Sequence, residues 1–146
     1  MSVTLPSPAP RAHLDWYGDG RVVVVDLGLA CCAIESEFAV PASATHVDQV
    51  PDGAQVVAVL SGTLTDVLAP LVAARVAALP GAHVVSFGAC ACAGGPYWDS
   101  YSVTKGVDQF VRVDTYVPGC PPPPAALAGV VDGLVGGAVG TEEMGA

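Results

Sequence analysis

Three short, predominantly apolar runs constrain the 146-residue chain more than any other feature. They are Arg21-Val-Val-Val-Val-Asp26, Gln55-Val-Val-Ala-Val-Leu60 and His83-Val-Val-Ser-Phe87. A strand with one wet face alternates polar and apolar residues, whereas a strand covered on both faces has no need to. Between the second and third runs, Leu71, Val72, Val76 and Leu79 recur at helical spacing, with Pro70 suited to a first turn and Pro80-Gly81 as a stop. A fourth extended stretch is predicted over Phe110 to Val117. A last helix is predicted to carry Leu127, Val130, Val131 and Leu134 and to end at Gly136-Gly137. Buried-type strands alternating with helices point to an α/β fold with a mainly parallel sheet. The Pro- and Ser-rich start reads as a flexible arm over 1–13, followed by one domain over 14–136 and a flexible tail over 137–146.

Charge removes whole classes of function. Fourteen acidic residues stand against five basic ones, a net charge of −9. Nucleic-acid binding depends on neutralising phosphates with Lys and Arg, so no nucleic-acid partner is expected. Arg11, Arg21, Arg75, Lys105 and Arg112 are scattered, which also excludes a polybasic membrane patch. No segment offers the ~20 consecutive apolar residues of a membrane span, and Met1 to Pro10 lacks the pattern of a secretory signal. The low charged content, 13%, fits a genome that favours Ala, Gly, Pro and Val. It equally fits a subunit largely covered by partners.

Five cysteines fall in three groups behind the strand readings. Cys31 and Cys32 follow the run that closes at Asp26, Cys90 and Cys92 follow Phe87, and Cys120 follows Val117. The carboxyl ends of parallel strands share one edge, where ligand sites form, so the three groups are expected to converge. Buried cysteines acting as small hydrophobes are one alternative for each thiol taken singly. A structural zinc site is another, but adjacent Cys31-Cys32 and the close pair Cys90-x-Cys92 depart from the usual C-x₂₋₄-C spacing. A nucleophilic cysteine is a third, with no His near any Cys in sequence. An iron–sulfur cluster fits better, because its thiolates arrive from separate loops and glycines such as Gly88, Gly94, Gly95 and Gly119 admit close backbone approach.

The stretches Gly28-Leu-Ala-Cys-Cys-Ala-Ile-Glu35, Ser61-Gly-Thr-Leu-Thr65, Gly88-Ala-Cys-Ala-Cys-Ala-Gly-Gly95, Tyr101-Ser-Val-Thr-Lys-Gly-Val-Asp108 and Val113-Asp-Thr-Tyr-Val-Pro-Gly-Cys-Pro-Pro122 carry a resemblance. Together they make the chain similar to the B-type, small iron–sulfur subunit of respiratory complex I, NADH:quinone oxidoreductase, over about Asp26 to Leu134. The later motifs also resemble, more distantly, [NiFe]-hydrogenase small subunits, which space the first two cysteines apart.

The resemblance implies a flavodoxin-like three-layer fold. It implies one [4Fe–4S] cluster on Cys31, Cys32, Cys90 and Cys120 at the strand carboxyl ends, with Cys92 a spare thiol. It also implies electron transfer to quinone at the interface with a large catalytic-type subunit, in a complex that holds further iron–sulfur and membrane-arm subunits. Glu35 matches a family acid near the cluster and is the candidate redox-linked proton acceptor. No NADH site is expected on this chain. Location would be peripheral, on the cytoplasmic side of the cell membrane and held through the complex. The alternatives are a small subunit of a membrane-bound [NiFe] hydrogenase-type complex and a zinc-stapled interaction module. Ser36 to Val50 is shorter than the family's segment and lacks Lys and Arg. Arg112, Pro123 and Ala125 stand where relatives carry Pro, Arg and Glu.

Overall fold

The computed structural model describes residues 13–28, 38–79, 81–97 and 99–135. Cys31, Cys32, Glu35, Pro80 and Trp98 therefore lie outside the described residues, as do Gly136-Gly137, the tail over 137–146 and all of the N-terminal arm but His13.

Among the described residues six strands form one sheet: β1 (His13–Asp15), β2 (Val22–Gly28), β3 (Thr45–Val47), β4 (Gln55–Ser61), β5 (His83–Phe87) and β6 (Thr115–Val117). Their order is β3-β1-β2-β4-β5-β6. The three apolar runs are β2, β4 and β5, paired parallel, with β6 continuing the parallel set. β1 pairs antiparallel with both β2 and β3, so β3 runs in the direction of β2. Without the inserted β1, the order is that of flavodoxin-like sheets.

Helices cover both faces. α1 (Ala69–Ala77) carries Pro70 in its first turn, and α2 (Ala89–Ala93) is a single short turn after β5. Ala69 and Val72 of α1 and Ala91 of α2 pack with Ala58, Leu60 and Val84 on one face. On the other, Leu127 and Val131 of α3 (Pro124–Val135) meet Val57, Val59, Val85 and Phe87. Alternation along β4 and β5 explains the division, since successive side chains point to opposite faces. The result is a three-layer α/β fold.

Several expectations change in detail. The Phe110–Val117 stretch is extended only over Thr115–Val117, because Phe110 caps a 3-10 turn over Val107–Gln109 instead. Leu71 matches the helical period of α1, yet it is 58% exposed while Val72 is buried. Burial in this short helix is set by the sheet's position and not by periodicity alone. The three-residue strands β1 and β3 are too short to carry a strand signal. They form because Leu14 pairs with Val24 on one side and with His46 on the other.

Candidate functional site

Register turns the parallel strands into a ruler. Gly28 pairs with Ser61, Ser61 with Phe87, and Phe87 with Val117, so one row of residues closes the sheet at its carboxyl edge. Cys31, Cys90 and Cys120 each stand three residues beyond that row. The row spans three interstrand steps, roughly 14 Å. Three residues of chain cover up to about 10 Å, so loops leaving this edge are long enough to meet.

Two of those loops are fastened together. The Gly88 amide donates to the Val117 carbonyl at 2.7 Å, and the Ala89 amide donates to the Gly119 carbonyl at 2.7 Å. These bonds extend the β5–β6 ladder past the strands and carry Cys90 and Cys120 out of the sheet side by side. Cys90 is buried and Cys120 is exposed. Cys90 and Cys92 belong to α2 and not to an open loop, as the sequence suggested; the Gly94 amide closes the turn on the Cys90 carbonyl at 2.9 Å.

The backbone crowds the Cys90 sulfur. At Gly95, whose φ is +55°, a Cβ would sit 2.8 Å from Cys90 Sγ, so a side chain there would displace the thiol. Cys92 is placed differently. Its Sγ lies 3.5 Å from the Ser86 carbonyl oxygen, to which the thiol donates, and 3.5 Å from Ser86 Oγ. Burial is the main cause that pushes its pKa above the usual thiol value, against the lowering effect of the Ser86 hydroxyl. A protonated thiol is a poor metal ligand.

Among the described residues the donors at this rim are the Cys90 and Cys120 thiols, which suit a soft metal group. A four-thiol set also needs Cys31 and Cys32, which lie outside the described residues. Among the described residues no group of three or more His, Cys, Asp and Glu side chains could hold a metal ion. The isolated histidines serve the sheet: His13 and His46 lie in β1 and β3, and His83 Nε2 bonds Thr115 Oγ1 at 2.7 Å. Asp114 caps the β5 amide of Val84 at 2.9 Å, and Asp108 accepts from the Tyr116 hydroxyl at 3.1 Å.

One residue at the rim carries little signal in the sequence beyond its place in a motif. Ser61, the last residue of β4, is fully buried, and among the described residues its Oγ has no hydrogen-bond partner. In sequence it is only a hydroxyl closing an otherwise apolar run.

A mainly parallel sheet with the Cys90 and Cys120 turns at its carboxyl edge makes this an open α/β domain, the class in which ligand sites form at that edge. Residues 25–134 match the family model described as NADH ubiquinone oxidoreductase, 20 Kd subunit, and the chain belongs to that family. It is 46% identical over 136 residues to the second of the numbered B-type subunits of NADH-quinone oxidoreductase in Streptomyces griseus, covering 87% of this chain and 57% of the relative. Against the first of the numbered B-type subunits of the same enzyme in Salinispora tropica it is 47% identical over 127 residues, 80% of this chain and 66% of the relative. The chain thus spans between about half and two thirds of the length of these relatives. Among solved structures it resembles a chain of the membrane-bound sulfane sulfur reductase, an archaeal respiratory membrane complex. That likeness has a TM-score of 0.50 and 26% identity, over 57% of this chain and 52% of the other. Among the described residues no helix is long and apolar enough to cross a membrane.

Proposed function

We propose that this chain is the electron-transfer subunit of a complex-I-like NADH:quinone oxidoreductase. It would hold one [4Fe–4S] cluster on Cys31, Cys32, Cys90 and Cys120 and deliver electrons to quinone at the interface with a large subunit. The observation that carries the reading is the shared register of the sheet edge. Cys31, Cys90 and Cys120 each follow that single row of paired residues by three positions in sequence, and the turns after β5 and β6 are fastened to each other by amide–carbonyl bonds.

Bound at this edge, such a cluster supplies a one-electron store between an upstream donor and the acceptor. The chain's own part is to hold and shield. Cys90 offers a buried sulfur closely backed by Gly95, and Cys120 offers a thiol at the surface. Cys92 is the spare thiol, kept occupied by Ser86. Glu35 is the proposed proton acceptor beside the cluster, because a carboxylate next to a centre that gains negative charge binds its proton more tightly. The subunit is peripheral to the membrane, held through the large subunit and membrane-arm partners.

The test is anaerobic purification of the complex that contains the chain, followed by iron and sulfide analysis and electron spin resonance after reduction. About four iron atoms assigned to this chain, with a spin signal, are expected. Cys90→Ser should abolish the signal and Cys92→Ser should retain it. About one zinc and no iron would instead support the zinc-stapled module. The likeness to the archaeal sulfane sulfur reductase complex favours a second reading, a respiratory membrane complex with a different terminal acceptor. Quinone reduction by the purified complex separates the two.

A further inference from the structure

Ser61 supplies an observation that the cysteine pattern does not use. It is 0% exposed, and among the described residues its hydroxyl oxygen has no hydrogen-bond partner. Buried hydroxyls in native proteins nearly always find one, and an orphan points to a group or water that belongs at the site.

Its surroundings narrow that group. Ser61 lies in the closing row between Gly28 and Phe87. Aligned residues of parallel strands point to the same face, so its hydroxyl stands beside the Phe87 ring on one side. On the other is Gly28, which has no side chain. Phe87 begins the three-residue step to Cys90, and Gly28 begins the step to Cys31. The hydroxyl is therefore a donor at the carboxyl edge on the face covered by α3, the helix that follows Cys120, while α2 with Cys90 packs on the other face.

We propose that the Ser61 hydroxyl donates a hydrogen bond to a sulfur of the iron–sulfur group and thereby raises its reduction potential. The inference rests on the cluster reading above. Reduction adds one electron, whose charge spreads onto the sulfurs. A donor aimed at a sulfur stabilises the reduced state more than the oxidised one. In the metal-free chain the same hydroxyl stabilises nothing, since removing an unpaired buried polar group is neutral or favourable.

These two expectations have opposite signs, which makes the proposal testable with Ser61→Ala and the hydroxyl-retaining Ser61→Thr. The anaerobically purified complex is titrated potentiometrically while the reduced-cluster spin signal is followed, with iron counted in each sample. Ser61→Ala should keep its full iron and show a midpoint shifted to lower potential, and Ser61→Thr should return it towards the wild-type value. Thermal melts of the metal-free full chain should show Ser61→Ala at or above the wild-type melting temperature. An unchanged midpoint in iron-replete Ser61→Ala overturns the proposal and leaves the cluster reading standing. A fall in the metal-free melting temperature also overturns it, by giving the hydroxyl a protein partner. Wild-type complex with neither iron nor signal on this chain overturns the cluster reading itself, and this inference with it.

Discussion

The two ends of the parallel sheet treat their polar groups in opposite ways. At the amino edge the chain closes itself. Asp15 accepts from the Gly18 and Gly20 amides at 3.1 and 2.9 Å and so ties the β1–β2 hairpin. Asp114 caps Val84, His83 meets Thr115, and the Tyr17 hydroxyl donates to Asp132 of α3. At the carboxyl edge, Ser61 and Thr104 bury hydroxyls that have no partner among the described residues, and Cys90 buries its thiol. One end pairs its polar side chains within the chain. The other leaves two buried hydroxyls without a partner among the described residues, and such orphans call for an explanation.

Substitutions at the two ends should therefore fail in different ways. The largest effect is expected at the carboxyl edge. Gly106 holds φ at +105°, and a Cβ there would come within 2.6 Å of the Cys92 carbonyl oxygen and 3.0 Å of Asp108 Oδ1. Gly106→Ala combines backbone strain with a main-chain collision and should cost about 3 kcal/mol or more. It should also shift α2, so iron content should fall faster than folded fraction, as read by metal analysis beside urea unfolding. Equal losses of both would erase the contrast between the edges.

An intermediate effect is expected at the amino edge. Asp15 is 6% exposed and makes two charge-assisted bonds. Asp15→Ala should lower unfolding free energy by roughly 2–3 kcal/mol while leaving the iron content of folded protein unchanged. A loss of iron without a loss of stability would place Asp15 in the wrong category.

The smallest effect is expected for Tyr17→Phe, about 1 kcal/mol at neutral pH, and it carries a pH signature. The Tyr17 hydroxyl has its pKa pushed from 10.0 to about 12, by burial first and then by donation to Asp132 and the charge of that carboxylate. A pKa raised in the folded state means that the stabilisation is complete below pH 10 and is lost as pH climbs from 10 towards about 12. Thermal melts should show a constant wild-type advantage over Tyr17→Phe up to pH 10 that shrinks above it. An advantage that persists to pH 12 would mean that the hydroxyl does not hold its proton against Asp132.

Much of the core was legible because burial on both faces leaves an unmistakable residue pattern. Val22 to Val25, Val57 to Leu60 and Val84 to Phe87 read as strands before any fold is known. The helix over 69–77 followed from spacing and Pro70. The three-residue strands β1 and β3 were not legible, since segments such as His13-Leu14-Asp15 hold no periodicity and pair only because neighbours are present. Phe110 to Asp114 misled for the converse reason: apolar residues at strand-like spacing there serve a 3-10 turn and the face under α1.

By itself the sequence determined which segments must be covered on both sides and where thiols follow strands, because hydrophobic periodicity and loop position are local properties. The tertiary structure decided the register that aligns Gly28, Ser61, Phe87 and Val117, the amide bonds that lock the β5 and β6 turns together, and the difference between Cys90 and Cys92. Those depend on which backbone atoms face one another across strands distant in the chain, and no local pattern encodes that. Ser61 shows the difference most plainly. In sequence it is one more hydroxyl at the end of a run, and only the packed sheet leaves it buried at the rim among the described residues without a partner.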